Sequence, residues 1–299
     1  MNAPPRLLPQ AYRSTVVVQA SVPPSHPSTA VLGRERASSG VVLRPDGLVL
    51  TVQYVVLGAS EVEVVGPDGE VIEARVVAQD FHGGLALLEP ARTPAAGLEP
   101  GTLGDVGRGD EIFVVAVTGE GDRRVSDGIV MALDGFTANW EFALDAAIAT
   151  SARNPGLGGA PLVDRRGCVV GISFLDLGEV GRFTLAIPAE LYSAHRQELL
   201  EHGRRVARPP RAWAGFFCYT LRRHVVFAGV LPGTPAEQGG LKAGDVLISV
   251  DGDRITNQSE LYQSLWAVPP GNERVFRVFR SDETTEVVVV PTLAEDFFG

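Results

Sequence analysis

Lysine is almost missing from this chain: of 26 basic residues only Lys242 is lysine, and the rest are arginine. Bases are also the minority charge, with 36 acids against them and a formal net charge of −10. A polyanion needs a local basic patch. The one modest cluster, Arg204, Arg205, Arg208 and Arg211, reads as the solvated part of a linker, so no nucleic-acid partner is expected. Cysteine is equally sparse: Cys168 and Cys218 are too few for a disulfide framework. Apolar runs such as Val225 to Leu231 fall far short of the roughly 20 residues of a membrane helix, and no membrane span is expected. The opening stretch, MNAPPRLLPQAYRSTVVVQASVPP, has prolines where a signal peptide carries its apolar region. It reads as the start of a cytoplasmic protein, or of an extracytoplasmic one if that start is misassigned. The histidines His26, His82, His195, His202 and His224 show no paired ligand spacing, so neither a metal nor a cofactor is expected.

What is present is apolar and finely divided. The 299 residues are 45% hydrophobic and 21% charged, enough for two domains with sizeable cores. From Tyr12 to about Ile187, short β-branched runs alternate with turn signals. Val41 to Leu43 and Leu48 to Val52 flank the turn Arg44-Pro45-Asp46-Gly47, and Glu61-Val62-Glu63-Val64 alternates with period two. Further strand-like runs are Leu85 to Leu88, Glu111 to Val117, Gly128 to Leu133 and Cys168 to Phe174. Strands this close, with no long helices between them, predict an antiparallel sandwich or barrel. The first convincing helix starts at Pro188 and stops at Gly203. Beyond it the pattern mixes strands with a capped helix, in which Asn257 is the N-cap and Glu260 its capping-box partner.

The run Gly233-Thr234-Pro235 through Gly239-Gly240-Leu241-Lys242-Ala243-Gly244-Asp245 to Asp251-Gly252 resembles the core of a PDZ domain. Such domains add an extended peptide as a strand and offer loop N–H groups to its terminal carboxylate. The resemblance puts Ala214, Gly215, Phe216 and Phe217 at that loop, and Leu261 and Leu265 on the helix that walls the groove. The expected ligands are protein C-termini or extended, unfolded peptides.

Upstream, Ser39-Gly40-Val41-Val42-Leu43, Leu50-Thr51-Val52-Gln53-Tyr54-Val55-Val56, Leu85-Ala86-Leu87-Leu88 and Asn154-Pro155-Gly156-Leu157-Gly158-Gly159-Ala160-Pro161 resemble, in order, the trypsin-like domain of the HtrA/Deg family. The implied fold is mainly β: two six-stranded antiparallel β-barrels of chymotrypsin type, followed by an α/β PDZ domain. The implied divisions are a tail 1–11, a trypsin-like domain 12–203, a linker 204–210, a PDZ domain 211–293 and a tail 294–299 that reads as disordered. The family's triad positions fall on Tyr54, Gly84 and Gly158. The triad needs a hydroxyl nucleophile, a base near neutrality and an orienting carboxylate. A phenol and two glycines supply none of these, and only the N–H groups of Gly156 and Gly158 remain for an oxyanion hole. No relocated centre is expected at His82, Thr150, Ser151 or Cys168. The chain therefore reads as a catalytically inactive relative, not an enzyme, that binds peptides or proteins as a scaffold or regulatory subunit. A residual peptidase, a holdase-like chaperone and an architectural subunit are the alternatives, and the resemblance leaves a homotrimer or a heteromeric complex open.

Overall fold

The computed structural model describes residues 7–177 and 181–298. Of the two expected tails, residues 1–6 and Gly299 lie outside the described residues. The chain divides into two compact units, one formed by residues 1–135 and 144–205, the other by Phe136–Ala143 and residues 206–299.

In the first unit, α1 (Leu7–Ser14) leads into a barrel of β1 (Thr15–Ser21), β2 (Glu35–Val42), β3 (Val49–Val52), β4 (Glu61–Val65), β5 (Val71–Asp80) and β6 (Leu85–Pro90). It closes in the order β1-β2-β3-β6-β5-β4, with short helices α2 (Thr29–Leu32) and α3 (Gln53–Val56) in its loops. A second barrel comprises β7 (Glu111–Val117), β8 (Arg123–Thr137), β9 (Ala143–Thr150), β10 (Pro161–Val163), β11 (Val169–Asp176) and β12 (Thr184–Pro188), closed in the order β10-β11-β12-β9-β8-β7. Closure leaves no strand edge open, which is how an all-β unit avoids pairing with other chains. Alternation survives in β4, where Glu61 and Glu63 face out and Val62 and Val64 are buried. β3 is buried at every position and β6 at all but Glu89, so their runs are apolar throughout. Ser39 ties the barrels together: its Oγ accepts from Val117 N–H at 2.9 Å and donates to Leu157 O at 3.0 Å.

The helix expected from Pro188 starts later. Pro188 is the last residue of β12, and α4 (Glu190–His202) follows, ending at Gly203 with φ +70° as the sequence indicates. The basic stretch after it is not simply solvated. The Arg205 side chain is 9% exposed and stands 3.8 Å from buried Asp80.

The second unit is a sheet ordered β13 (Phe216–Leu221), β14 (His224–Val230), β15 (Val246–Val250), β17 (Arg274–Arg280), β18 (Glu283–Val289), with β16 (Asp253–Arg254) paired to β15. Helices α5 (Pro235–Gln238) and α6 (Gln258–Trp266) accompany it, and Asn257 Oδ1 caps α6 by accepting from Glu260 N–H at 2.9 Å. Its core gathers Phe216, Phe227, Leu247, Phe276 and Val289 with Leu261, Tyr262 and Leu265 of α6. Two boundaries differ from the sequence reading. Residues 136–143, expected inside the trypsin-like domain, pack with this unit. The C-terminal tail, expected to be disordered, forms α7 (Ala294–Phe298), whose Phe297 and Phe298 rings lie 5.0 and 5.2 Å from Trp213. Aromatic pairs at such distances contribute about 0.5–1.5 kcal/mol beyond area burial, enough to fix a short helix that propensity alone does not.

Candidate functional site

Three separated stretches of the first unit meet around Tyr54. The residue lies on α3, and the Arg36 guanidinium, itself buried, pins that turn by donating to Tyr54 O at 2.9 Å and Leu57 O at 3.0 Å. Gly84, at φ +75°, sits just before β6 and accepts from Gln53 N–H at 2.9 Å. Gly158 O accepts from Ser39 N–H at 2.7 Å. A Cβ built on Gly158 would come within 2.6 Å of Tyr54 Oη, so the phenol fills the space where a side chain at 158 would begin. The Phe174 ring backs it, with centroids 6.3 Å apart. Burial pushes the Tyr54 pKa above the ordinary phenol value, so the hydroxyl stays protonated near neutral pH.

The expected oxyanion pair is not intact. Gly156 N–H donates to Asn154 Oδ1 at 3.1 Å, and the same asparagine donates to Leu157 O at 3.1 Å. Gly156 is nonetheless obligatory, because a Cβ there would lie 2.2 Å from Val117 O. The other candidate groups hold structural posts. Thr150 Oγ1 donates to Ile129 O at 2.9 Å, and Ser151 Oγ accepts from Ile129 N–H at 3.0 Å. Burial raises the Cys168 thiol, which opposes thiolate formation. His82 is buried, at 8% exposure. Its backbone N–H donates to Asp80 at 3.0 Å, a buried carboxyl that burial pushes upward against the pull of Arg205.

The loop expected at Ala214 to Phe217 opens β13 in the second unit. Gly215 has φ +88°, and a Cβ on it would meet the Thr234 side chain at 2.5 Å, so only glycine fits. Leu231 N–H and Ala236 N–H hold the loop by donating to Gly215 O and Ala214 O, each at 2.9 Å. The N–H groups of Ala214, Gly215 and Phe216 then converge on one carboxyl, that of Glu141, at 2.6, 2.7 and 3.1 Å. The residue is half-buried, and its carboxyl end is the enclosed part; burial pushes its pKa up to about 7, against the downward pull of the three N–H donors. Phe217 pairs with Trp140. Phe216, Leu261 and Leu265, expected to line the groove, are core residues exposed by 2% or less. From α6, Gln258 Nε2 and the hydroxyl of the otherwise buried Tyr262 donate to Ala138 O, each at 3.0 Å, contacts that sequence reasoning missed because a polar group inside an amphipathic helix carries no mark of what it touches.

The comparisons agree with this architecture. A model described as a trypsin-like peptidase domain matches residues 38–172, and one described as a PDZ domain matches residues 202–290. The chain is similar to HtrA-type proteins in both of its parts. A probable periplasmic serine endoprotease DegP-like of Halomonas elongata is 28% identical over 271 residues, covering 86% of this chain and 56% of that protein. Serine protease Do-like HtrA of Bacillus subtilis is 29% identical over 260 residues, covering 77% of this chain and 57% of its own length. The chain thus spans little more than half the length of these relatives. Among solved structures, "HtrA-type protease AlgW with tripeptide" superposes with a TM-score of 0.57 at 23% identity, covering 96% of each chain, which shows a shared fold. Two expectations are overturned by these names. Relatives named serine endoproteases point to a protease, not to a non-enzyme. Relatives named periplasmic point away from the cytoplasm. The class comes from the relatives; at positions 54, 84 and 158 the chain itself carries a phenol and two glycines.

Proposed function

We propose that this HtrA-type chain is a peptide-binding protein that captures free protein C-termini at the loop of residues 214–217 and accepts extended segments along the cleft beside Tyr54. In this reading it serves as a scaffold or regulatory subunit outside the cytoplasm. The observation that carries it is the convergence of three backbone N–H groups on a single carboxyl, a cradle selective for carboxylate over any side-chain identity. Support for the extracytoplasmic location comes from the periplasmic relatives.

A second reading, serine-type peptidase activity, is favoured by the names of those same relatives. One experiment separates the two. The full chain is incubated with a library of peptides bearing free C-termini, and bound and shortened species are scored by mass spectrometry. Intact peptides retained with apolar C-terminal residues are the expected result. Shortened peptides would establish the peptidase reading, and Ser151→Ala and Cys168→Ala would then test two nucleophiles outside the triad positions. Light scattering at micromolar concentration distinguishes a monomer from a homotrimer.

A further inference from the structure

β13 is a terminal strand of its sheet, and an exposed strand edge invites a partner strand. That edge is already paired. Cys218 N–H donates to Asn139 O at 2.7 Å, and Trp140 bridges antiparallel to Phe217. From α6, Tyr262 OH and Gln258 Nε2 both donate to Ala138 O at 3.0 Å, and Gln258 Nε2 also reaches Asn139 Oδ1 at 3.1 Å. Ala138 and Phe142 are buried, at 2% and 7% exposure. At the end of this short strand, the Glu141 carboxyl enters the cradle of Ala214, Gly215 and Phe216. The chain then bends away, with Phe142 N–H donating to Trp140 O at 2.5 Å and Ala138 N–H to Phe142 O at 2.9 Å.

Strand pairing along β13 followed by a carboxylate in the loop is how an added C-terminal peptide is held. Here the carboxylate belongs to a side chain, and the backbone continues into β9. We infer that Phe136–Ala143 is a built-in ligand of the groove, so that an incoming free C-terminus binds only by displacing Glu141. This inference rests on the peptide-binding reading above. It assigns a partner chemistry, an extended segment ending in a free α-carboxylate, and a control, competition with the protein's own chain. A ligand that needs a minor open state loses apparent affinity by the fraction of molecules that are open.

The test uses the full chain and a fluorescein-labelled synthetic peptide copying residues 134–140 followed by valine, as the free acid and as the amide. In fluorescence anisotropy, Glu141→Ala is expected to tighten the free-acid probe about tenfold or more while the amide stays weak. Equal affinity of the unmodified chain and Glu141→Ala for the free acid would overturn self-occupation and leave the peptide-binding reading standing. No binding of the free acid to either would remove both. Equal binding of acid and amide would show that the cradle does not read the carboxylate, which also overturns the inference. Should Glu141→Ala fail to fold, hydrogen exchange on the unmodified chain decides: saturating probe is expected to speed exchange within residues 136–143, and unchanged exchange there with the probe bound would refute displacement.

Discussion

The cleft of the barrels and the groove of the C-terminal sheet are each filled by the protein's own atoms, by different chemistry. In the cleft, the Tyr54 phenol occupies the space beside Gly158, and burial keeps it neutral. In the groove, Glu141 fills a cradle of backbone N–H groups, and its carboxyl titrates near neutrality. A neutral ring held by a pinned helical turn leaves only by mutation. A carboxyl on a link between strands leaves by competition or by a change of charge. The two sites thus differ in how they are opened.

The largest effect should come from rebuilding the cleft. The triple change Tyr54→His, Gly84→Asp, Gly158→Ser is expected to raise casein cleavage above the unmodified chain by about a hundredfold or more, since each triad group acts only in company with the others. The gain stops short of a full triad because Gly156 N–H faces Asn154 and not an oxyanion. Gly158→Ser alone should gain nothing, because its new Cβ lies 2.6 Å from Tyr54 Oη. If the single change equals the triple, Tyr54 is not what fills the cleft.

The groove should respond to pH. The docked Glu141 carboxyl has a pKa of about 7, above the ordinary carboxylate value of 4.5, because burial outweighs its N–H partners. Raised in the docked state, it gives docking a contribution that is full below about pH 4.5 and is lost as pH rises to about 7. The self-docked population relative to the open one should fall on the order of a hundredfold across that window. The other titratable groups near it, Cys218 and Tyr262, are pushed upward by burial and stay neutral there. Trp140 fluorescence followed from pH 4 to 8 reads the change. A signal that is flat in the unmodified chain, or that titrates equally in Glu141→Gln, would remove Glu141 as its source.

Smaller changes sharpen the contrast. Gly215→Ala forces a left-handed residue and a 2.5 Å approach to Thr234. It should cost about 2–3 kcal/mol in urea unfolding and weaken the free-acid probe. Phe297→Ala should cost about 1 kcal/mol by removing a ring that packs on Trp213, the residue leading into the loop, with casein cleavage unchanged.

Much of this was legible in the residues. Period-two alternation located β4, short continuous apolar runs located β6 and β7, and Asn257 with Glu260 marked the start of α6. Other assignments failed for identifiable reasons. Leu261 and Leu265 share a helical face, and that face is the core of the sheet, so the groove contacts fall to the Gln258 amide and to the hydroxyl of Tyr262, whose ring lies in the same core. The C-terminal aromatics read as a loose end because nothing local opposes fraying, and it is Trp213, far away along the chain, that holds them.

By itself the sequence determined several strands of each barrel, the glycine at 215 and the residues that stand at positions 54, 84 and 158. Each of these is a matter of local pattern or of residue type at a position. Only the tertiary structure decided that Tyr54 closes over Gly158 and that Glu141 enters the loop of Ala214, Gly215 and Phe216 from more than 70 residues away. The physical reason is that the loop's donors are backbone N–H groups, which every residue but proline carries. They leave no signature in the sequence to say which acid they hold.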